Sequence, residues 1–448
     1  MKFIPKAMIH ALGVVAVSAV IPGNAHAEPD TIRVECAAGQ TIAQALRRGE
    51  RHSPLTVVIA GTCNEHVTVN RSDVTLAAYA PGATIRGPDP SMDTITVTGN
   101  RVRVLGLTVT GGRAGIAGVG GRNLLIRDCV VEATGRDGIT IAQGGNGTVD
   151  ACTVRNNTRN GVAVTSASAA IVNSAVTANG GIGVIFTDGA SGRIGVTDPN
   201  APGGPAAAGN TITNNANNGV QIYLGSAAFI AANTISGNGT NPALGRNGIF
   251  VGNATASLAG LNTISGNEGS GITAQGATLI VGDPGLGIGT ANSITGNGAK
   301  IPGAPGINLL LGSSARVRDA AISGSSGTGA LVSQRSTLQL QGNTLIQNNQ
   351  GDGVRLALGS GLVIDFPAVA TTTVTGNGGW GMFCTDNESS YFPFQPLPLW
   401  APNGLGGVND NCTAFNLIVP PVVPPVIPPP VIPPVVPPVV PPVVPGTP

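Results

Sequence analysis

The tract NTISGNEGSGI begins at Asn262, and close copies recur: NTISGN at Asn233, NTITNN at Asn210 and NSITGN at Asn292. A second signal runs with it. A glycine followed by an apolar residue stands at Gly115, Gly138, Gly161, Gly183, Gly219, Gly248, Gly271, Gly306, Gly329, Gly353 and Gly381. The steps between these are 23, 23, 22, 36, 29, 23, 35, 23, 24 and 28 residues. The base period is 23, and the longer steps read as loops added to single units. Each glycine opens a tract such as GITIAQ, GVAVTS, GVQIYL or GIFVGN, in which apolar and other residues alternate with the period of a half-buried strand. A unit this short, holding two or three strands, cannot enclose a core alone. It can form one turn of a coil whose stacked copies bury a continuous core.

Stacking gives the repeated letters a meaning. Asn210, Asn233, Asn262 and Asn292 fall at one place in the repeat, which Cys129, Cys152 and Ser174 fill in earlier units. Asparagine tolerates left-handed backbone, and its amide both donates and accepts. Stacked amides are therefore expected to bond one another and to satisfy turn backbone, while the following isoleucine points into the core. A further asparagine five residues on, at Asn157, Asn179, Asn215, Asn238, Asn267 and Asn297, closes the next turn. Regular spacing marks these residues as scaffold rather than as ligand contacts.

The flanks differ from the repeat. Residues 1–27 combine Lys2 and Lys6, the apolar run ALGVVAVSAVI and a terminal AHA, which reads as a secretory signal. No later segment reads as a membrane helix. Without Lys2 and Lys6 the chain has 21 basic and 22 acidic residues, and 10% of the whole is charged. That balance leaves no basic field for nucleic acid. From Val419 the sequence becomes runs of paired proline and valine, expected as an extended polyproline II rod that acts as spacer or binds a partner.

The 23-residue pattern resembles the right-handed parallel β-helix family, the pectate-lyase-like superfamily, over Val67 to Thr385. The resemblance implies an all-β fold: a right-handed, single-stranded parallel β-helix, or solenoid, of about a dozen turns, roughly 55–60 Å long. Residues 28–66 are expected to cap one end, with a short helix in TIAQALRR. Residues 386–418, rich in aromatics, are expected to cap the other, before the tail at 419–448. Six cysteines in an exported chain suggest pairing. Cys36–Cys63 and Cys384–Cys412 would tie the two caps. Cys129 and Cys152 should stack, as a strained disulfide or as two buried thiols.

For activity, the resemblance implies carboxylates on an outer strand face, with calcium-binding aspartates in lyases or a histidine and a basic pair in hydrolases. General acid–base work needs two carboxylates facing one bond. The third residue of each opened strand should face outward, giving Thr140, Ala163, Ile185, Gln221, Phe250, Thr273, Asn308, Leu331, Arg355 and Phe383, a row without Asp or Glu. All four histidines, the last of them His66, precede Val67. Asp137, Asn160, Asn218, Asn247 and Asp352 each precede an opening glycine and read as turn residues. Neither a metal nor a cofactor is expected. Gln221, Tyr223, Phe250 and Arg355 are the candidate ligand contacts, with Tyr223 and Phe250 placed to stack a sugar ring. The leading function is a non-catalytic protein of the envelope or extracellular space that binds glycan or a partner. The alternative is a lyase or hydrolase of uronic-acid polymers.

Overall fold

In the computed structural model the described residues are 30–197, 204–364, 372–393, 400 and 402–414. The expected signal at 1–27 and the tail at 419–448 lie outside the described residues. Among the described residues no helix is long and apolar enough to cross a membrane.

Among the described residues three sheets of 16, 14 and 13 strands, here I, II and III, run along the coil, and away from its ends neighbours in each sheet are every third strand in chain order. One turn contributes Val130–Glu132 to sheet III, Ile139–Ala142 to sheet II and Asn146–Asp150 to sheet I. The next turn repeats the order with Thr153–Arg155, Val162–Thr165 and Ser168–Val172. Pairing is parallel and in step with the sequence period, so Ile116, Ile139, Val162 and Val184 lie side by side.

The interior is a set of like-on-like columns. On sheet III, Val131, Val154, Val176, Ile212, Ile235, Ile264 and Ile294 are stacked in register and wholly buried. Each contributes about 1.5–3 kcal/mol of burial, and β-branched side chains suit a pleated surface.

The asparagines form two buried columns beside this core. In the first, Asn210 Nδ2 donates to Asn233 Oδ1 at 2.9 Å, Asn233 to Asn262 at 3.2 Å and Asn262 to Asn292 at 2.8 Å. In the second, each Nδ2 donates to the next Oδ1 from Asn157 through Asn179, Asn215, Asn238 and Asn267 to Asn297. The same ladder resumes from Asn349 through Asn377 to Asn403. Left-handed backbone is not what selects these asparagines. In most turns the positive-φ residue is the one before the asparagine, as at Ala232 (60°), Leu261 (67°), Asn156 (54°) and Asn214 (56°). The ladder position needs an amide, and the residue preceding it makes the bend.

The ladder also explains the opening glycines. A Cβ on Gly138 would stand 2.6 Å from Asn157 Nδ2 and 2.5 Å from Val154 Cγ1, because the next turn's amide fills that space. Where Thr94 replaces the glycine, its Oγ1 donates to Gly111 O at 2.9 Å instead.

The coil is longer than the glycine openers imply. Asp30–Glu35 and Leu55–Ala60 already pair in sheet I, upstream of Val67. Ser390–Pro393, Gly406–Val408 and Thr413–Ala414 extend the sheets beyond Thr385. Sheet I makes fifteen strand steps, about 70 Å at ~4.8 Å each. The first turns lack the glycine opener, with His66 and Thr94 in its place, and at the far end Gly407 before Val408 is one more opener, in register with Gly381. The helix spans Ile42–Arg48, with Thr41 Oγ1 accepting from Gln44 N and Ile42, Ala45 and Leu46 buried against the core. Disulfides join Cys36 to Cys63 and Cys384 to Cys412, each with a Cα separation of 5.1 Å. Cys129 and Cys152 are buried free thiols. Of the two outcomes left open for them, the structure has the thiols.

Candidate functional site

A short buried strand fixes its inner side chains, so function must lie on the outward faces and in the turns beside them. Among the described residues, the grooves there include one on sheet I and one on sheet II.

The first runs across sheet I. Two adjoining cavities of about 840 and 370 Å³ share Asn123 and Thr148. Together they cross eight successive strands, from the one carrying Thr56 to the one carrying Phe229. Seven steps of ~4.8 Å make the groove about 34 Å long. Hydroxyls and amides dominate the lining: Thr56, Thr75, Thr148, Ser168 and Ser191 with Asn123 and Asn146. Ala170 is the small outward residue of the floor, whereas Gly147, Ala169 and Gly192 face the core, the two glycines leaving room for Ile141 and Phe186; Phe229, 43% exposed, stands at the far end. Arg101 and Asp73 line it as a bidentate ion pair with both bonds at 2.6 Å. That pair holds the Asp73 carboxyl below the usual carboxylate range.

The second groove lies on sheet II. It is a trough of about 290 Å³ between Ala117, Ala142 and Ala163 on its floor and Arg113, Arg136 and Arg159 on one wall. Asp93 and Asp137 also line it, two strand steps or about 10 Å apart. Arg113 forks onto Asp93 with two bonds of 2.9 Å, and Arg159 onto Asp137 at 3.0 and 2.9 Å. Backbone N–H groups of Ala114 and Asn160 donate to the same carboxylates at 3.1 Å. Both acids have most of their lone pairs engaged, which suits a fixed wall better than proton transfer.

The outward row predicted from the sequence lies in one register column, from Thr140 to Phe383. Within it Gln221 and Phe250 are direct neighbours, and Tyr223 lies beside Gly252. The Tyr223 and Phe250 rings are 6.2 Å apart and tilted by 52°, so they do not make one flat platform. Arg355 is five strand steps from Gln221, about 24 Å, and is not part of that group. It is held by Asp352 at 2.7 Å, with its guanidinium carbon 5.1 Å from the Phe383 ring centre. The acids and amides before the opening glycines bond the neighbouring turn: Asn218 Oδ1 accepts from Asn247 N at 2.9 Å and Asp352 from Trp380 N at 2.8 Å.

The expectation that every histidine precedes the coil does not hold. Because the coil begins upstream of Val67, His66 lies on it, with Nδ1 2.9 Å from Asp93 O and Asp89 N donating to Nε2 at 3.2 Å. The sheet I groove was also missed, because attention to the glycine-opened strand selects sheet II alone. Ser168 and Ser191, both in its lining, pair at the start of adjoining strands of sheet I. Among the described residues no group of three or more metal-ligating side chains comes together.

Comparison with known proteins agrees with this architecture. A family model described as a right handed beta helix region matches residues 58–198 and 243–392. A search of curated proteins gives no match. The A-module of a mannuronan C-5 epimerase from Azotobacter vinelandii is similar at 15% identity, over 82% of this chain and 93% of that one, with a TM-score of 0.46. A pectate lyase is similar at 16% identity over 65% and 79%, with a TM-score of 0.40. A periplasmic alginate epimerase is similar at 11% identity over 81% and 77%, with a TM-score of 0.37. With the family pattern matched over more than half its length and three parallel sheets wound in register, the chain belongs to the right-handed β-helix family.

Proposed function

We propose that the protein is an exported, non-catalytic glycan-binding β-helix of the envelope or extracellular space, and that it holds an extended saccharide along the sheet I groove. The observation that carries this reading is the groove's length with its lining. About 34 Å lined by hydroxyls and amides, with the Arg101–Asp73 pair, Arg103 and Arg193 among them, offers repeated polar contacts to a polymer laid across the strands, ending at an exposed phenyl ring. Two disulfides suit an oxidising compartment. Gln221, Tyr223 and Phe250 provide a secondary contact on sheet II, with a sugar on one ring rather than across both. A glycan array probed with the chain from Glu28 onward, with and without residues after Val419, tests the proposal. Binding that Phe229→Ala weakens at least tenfold supports it. An array without binders, or binding indifferent to changes in the groove, overturns it.

One observation favours the enzyme reading: Asp93 and Asp137 share a trough at about the separation of an acid–base pair. Their arginine partners argue against a free proton donor there. Incubation with a panel of pectins and alginates decides. New reducing ends or unsaturated products, lost in Asp137→Asn, would establish catalysis at that trough.

A further inference from the structure

We propose that the sheet II trough is an oxyanion-binding site built on Arg136, taking a ligand that bears a carboxylate, sulfate or phosphate group. This stands on a different groove from the glycan reading and does not depend on it.

Arg113, Arg136 and Arg159 each lie two residues before an opening glycine, one period apart. The backbone stacks them: Arg136 N donates to Arg113 O at 2.6 Å, and Arg159 N to Arg136 O at 2.8 Å. Two of the three are spent. Each reaches an acid one turn earlier in the neighbouring column, Asp93 for Arg113 and Asp137 for Arg159. For Arg136 that place is held by Ala114. The guanidinium of Arg136 therefore has no hydrogen-bond or ion-pair partner among the described residues, and it is exposed on the wall of the trough.

The charge is unbalanced at this point. Three guanidinium groups face two carboxylates, Asp93 and Asp137, leaving one positive charge. A bound oxyanion would complete the alternation that the two flanking turns already have. Arginine's fork matches planar and tetrahedral oxyanions alike. The alanine floor gives the ligand depth, and Gln143 lines the trough as well. A volume of about 290 Å³ admits one anionic group with several waters, at ~30 Å³ per water. The wider field favours an anion: residues 30–160 carry 14 arginines against 11 acids, whereas 161–414 carry 7 basic residues against 10 acids.

The test is titration of the arginine-¹⁵N-labelled full chain with sulfate, phosphate and acetate at constant ionic strength, read at the Nε resonances. The expected result is a saturable shift at Arg136 with millimolar affinity, at least tenfold weaker in Arg136→Gln, partly restored in Arg136→Lys and unchanged in Arg103→Gln. The order of the three anions distinguishes tetrahedral from planar ligands. Because Arg136 makes no internal ion pair, Arg136→Gln should melt with the parent chain, so its loss of binding is not loss of fold. Absence of saturation, or equal shifts at the exposed Arg47 and Arg48, overturns the proposal.

Discussion

Replacing Asn238 by alanine is the most direct test of what holds the coil together. Asn238 is wholly buried in the longer ladder. Its Oδ1 accepts from Asn215 N at 3.1 Å and Asn215 Nδ2 at 3.0 Å, and its Nδ2 donates to Ile212 O and Asn267 Oδ1, both at 3.0 Å. Alanine removes all four. Asn215 Nδ2 keeps its bond to Val176 O at 3.1 Å, and Asn267 Oδ1 keeps its bond from Asn238 N. Asn215 N loses its side-chain acceptor at a wholly buried site. Four modest hydrogen bonds plus one stranded buried donor amount to about 3–5 kcal/mol. Thr211→Ala, an exposed change on the neighbouring strand, should cost only a few tenths. Urea unfolding gives the global loss. Because stacked repeats can open locally, hydrogen exchange at the Asn215 amide gives the local one. If Asn238→Ala unfolds within 1 kcal/mol of Thr211→Ala and leaves that amide protected, the ladder is not what secures the turns.

Further outcomes follow from the same geometry. Gly219→Ala places a Cβ 2.7 Å from Asn238 Nδ2 and 2.8 Å from Gly248 O, costing about 2–4 kcal/mol, whereas Gly144→Ala, with open space around it at φ 72°, costs about 1–2 in the same unfolding assay. Thiol titration should find no reactive cysteine in the native chain and two after unfolding without reductant. The thiol-to-thiol hydrogen bond with Cys129 and burial both raise the Cys152 thiol, keeping it protonated. The Asp73 carboxyl is held low chiefly by Arg101, so its stabilising contribution is present above the unfolded carboxylate range and is lost as pH falls through the folded value. The pair is partly exposed, so acid titration of the stability difference between parent and Asp73→Asn should show a small effect that disappears toward low pH.

Much of the architecture was legible in one dimension because the coil is nearly one-dimensional. A 23-residue step carries a residue to the same place on the next turn, so Asn210 and Asn233, or Ile212 and Ile235, become neighbours wherever their letters recur. Period, strand alternation, inward isoleucine and outward row were all read from that rule. The start escaped it, since Asp30–Glu35 and Val67–Val69 join the sheets without the glycine that marked the middle turns, while at the far end Gly407 before Val408 keeps the pattern.

The faces escaped it for a different reason. Identical register says which residues are side by side, but not how deep a face lies or which polar groups are already satisfied. Thr148, Ala170 and Arg193 share one outward register column of sheet I, but only the packed turns decide that a groove runs along them. Arg136 reads like Arg113 and Arg159 in the sequence. Its difference comes from an alanine at residue 114, across the turn, where the other two find a carboxylate. Short-range pattern thus determined the coil, since backbone pairing repeats with the chain. The grooves were decided by tertiary structure, because depth and charge pairing depend on side chains from different turns meeting in space.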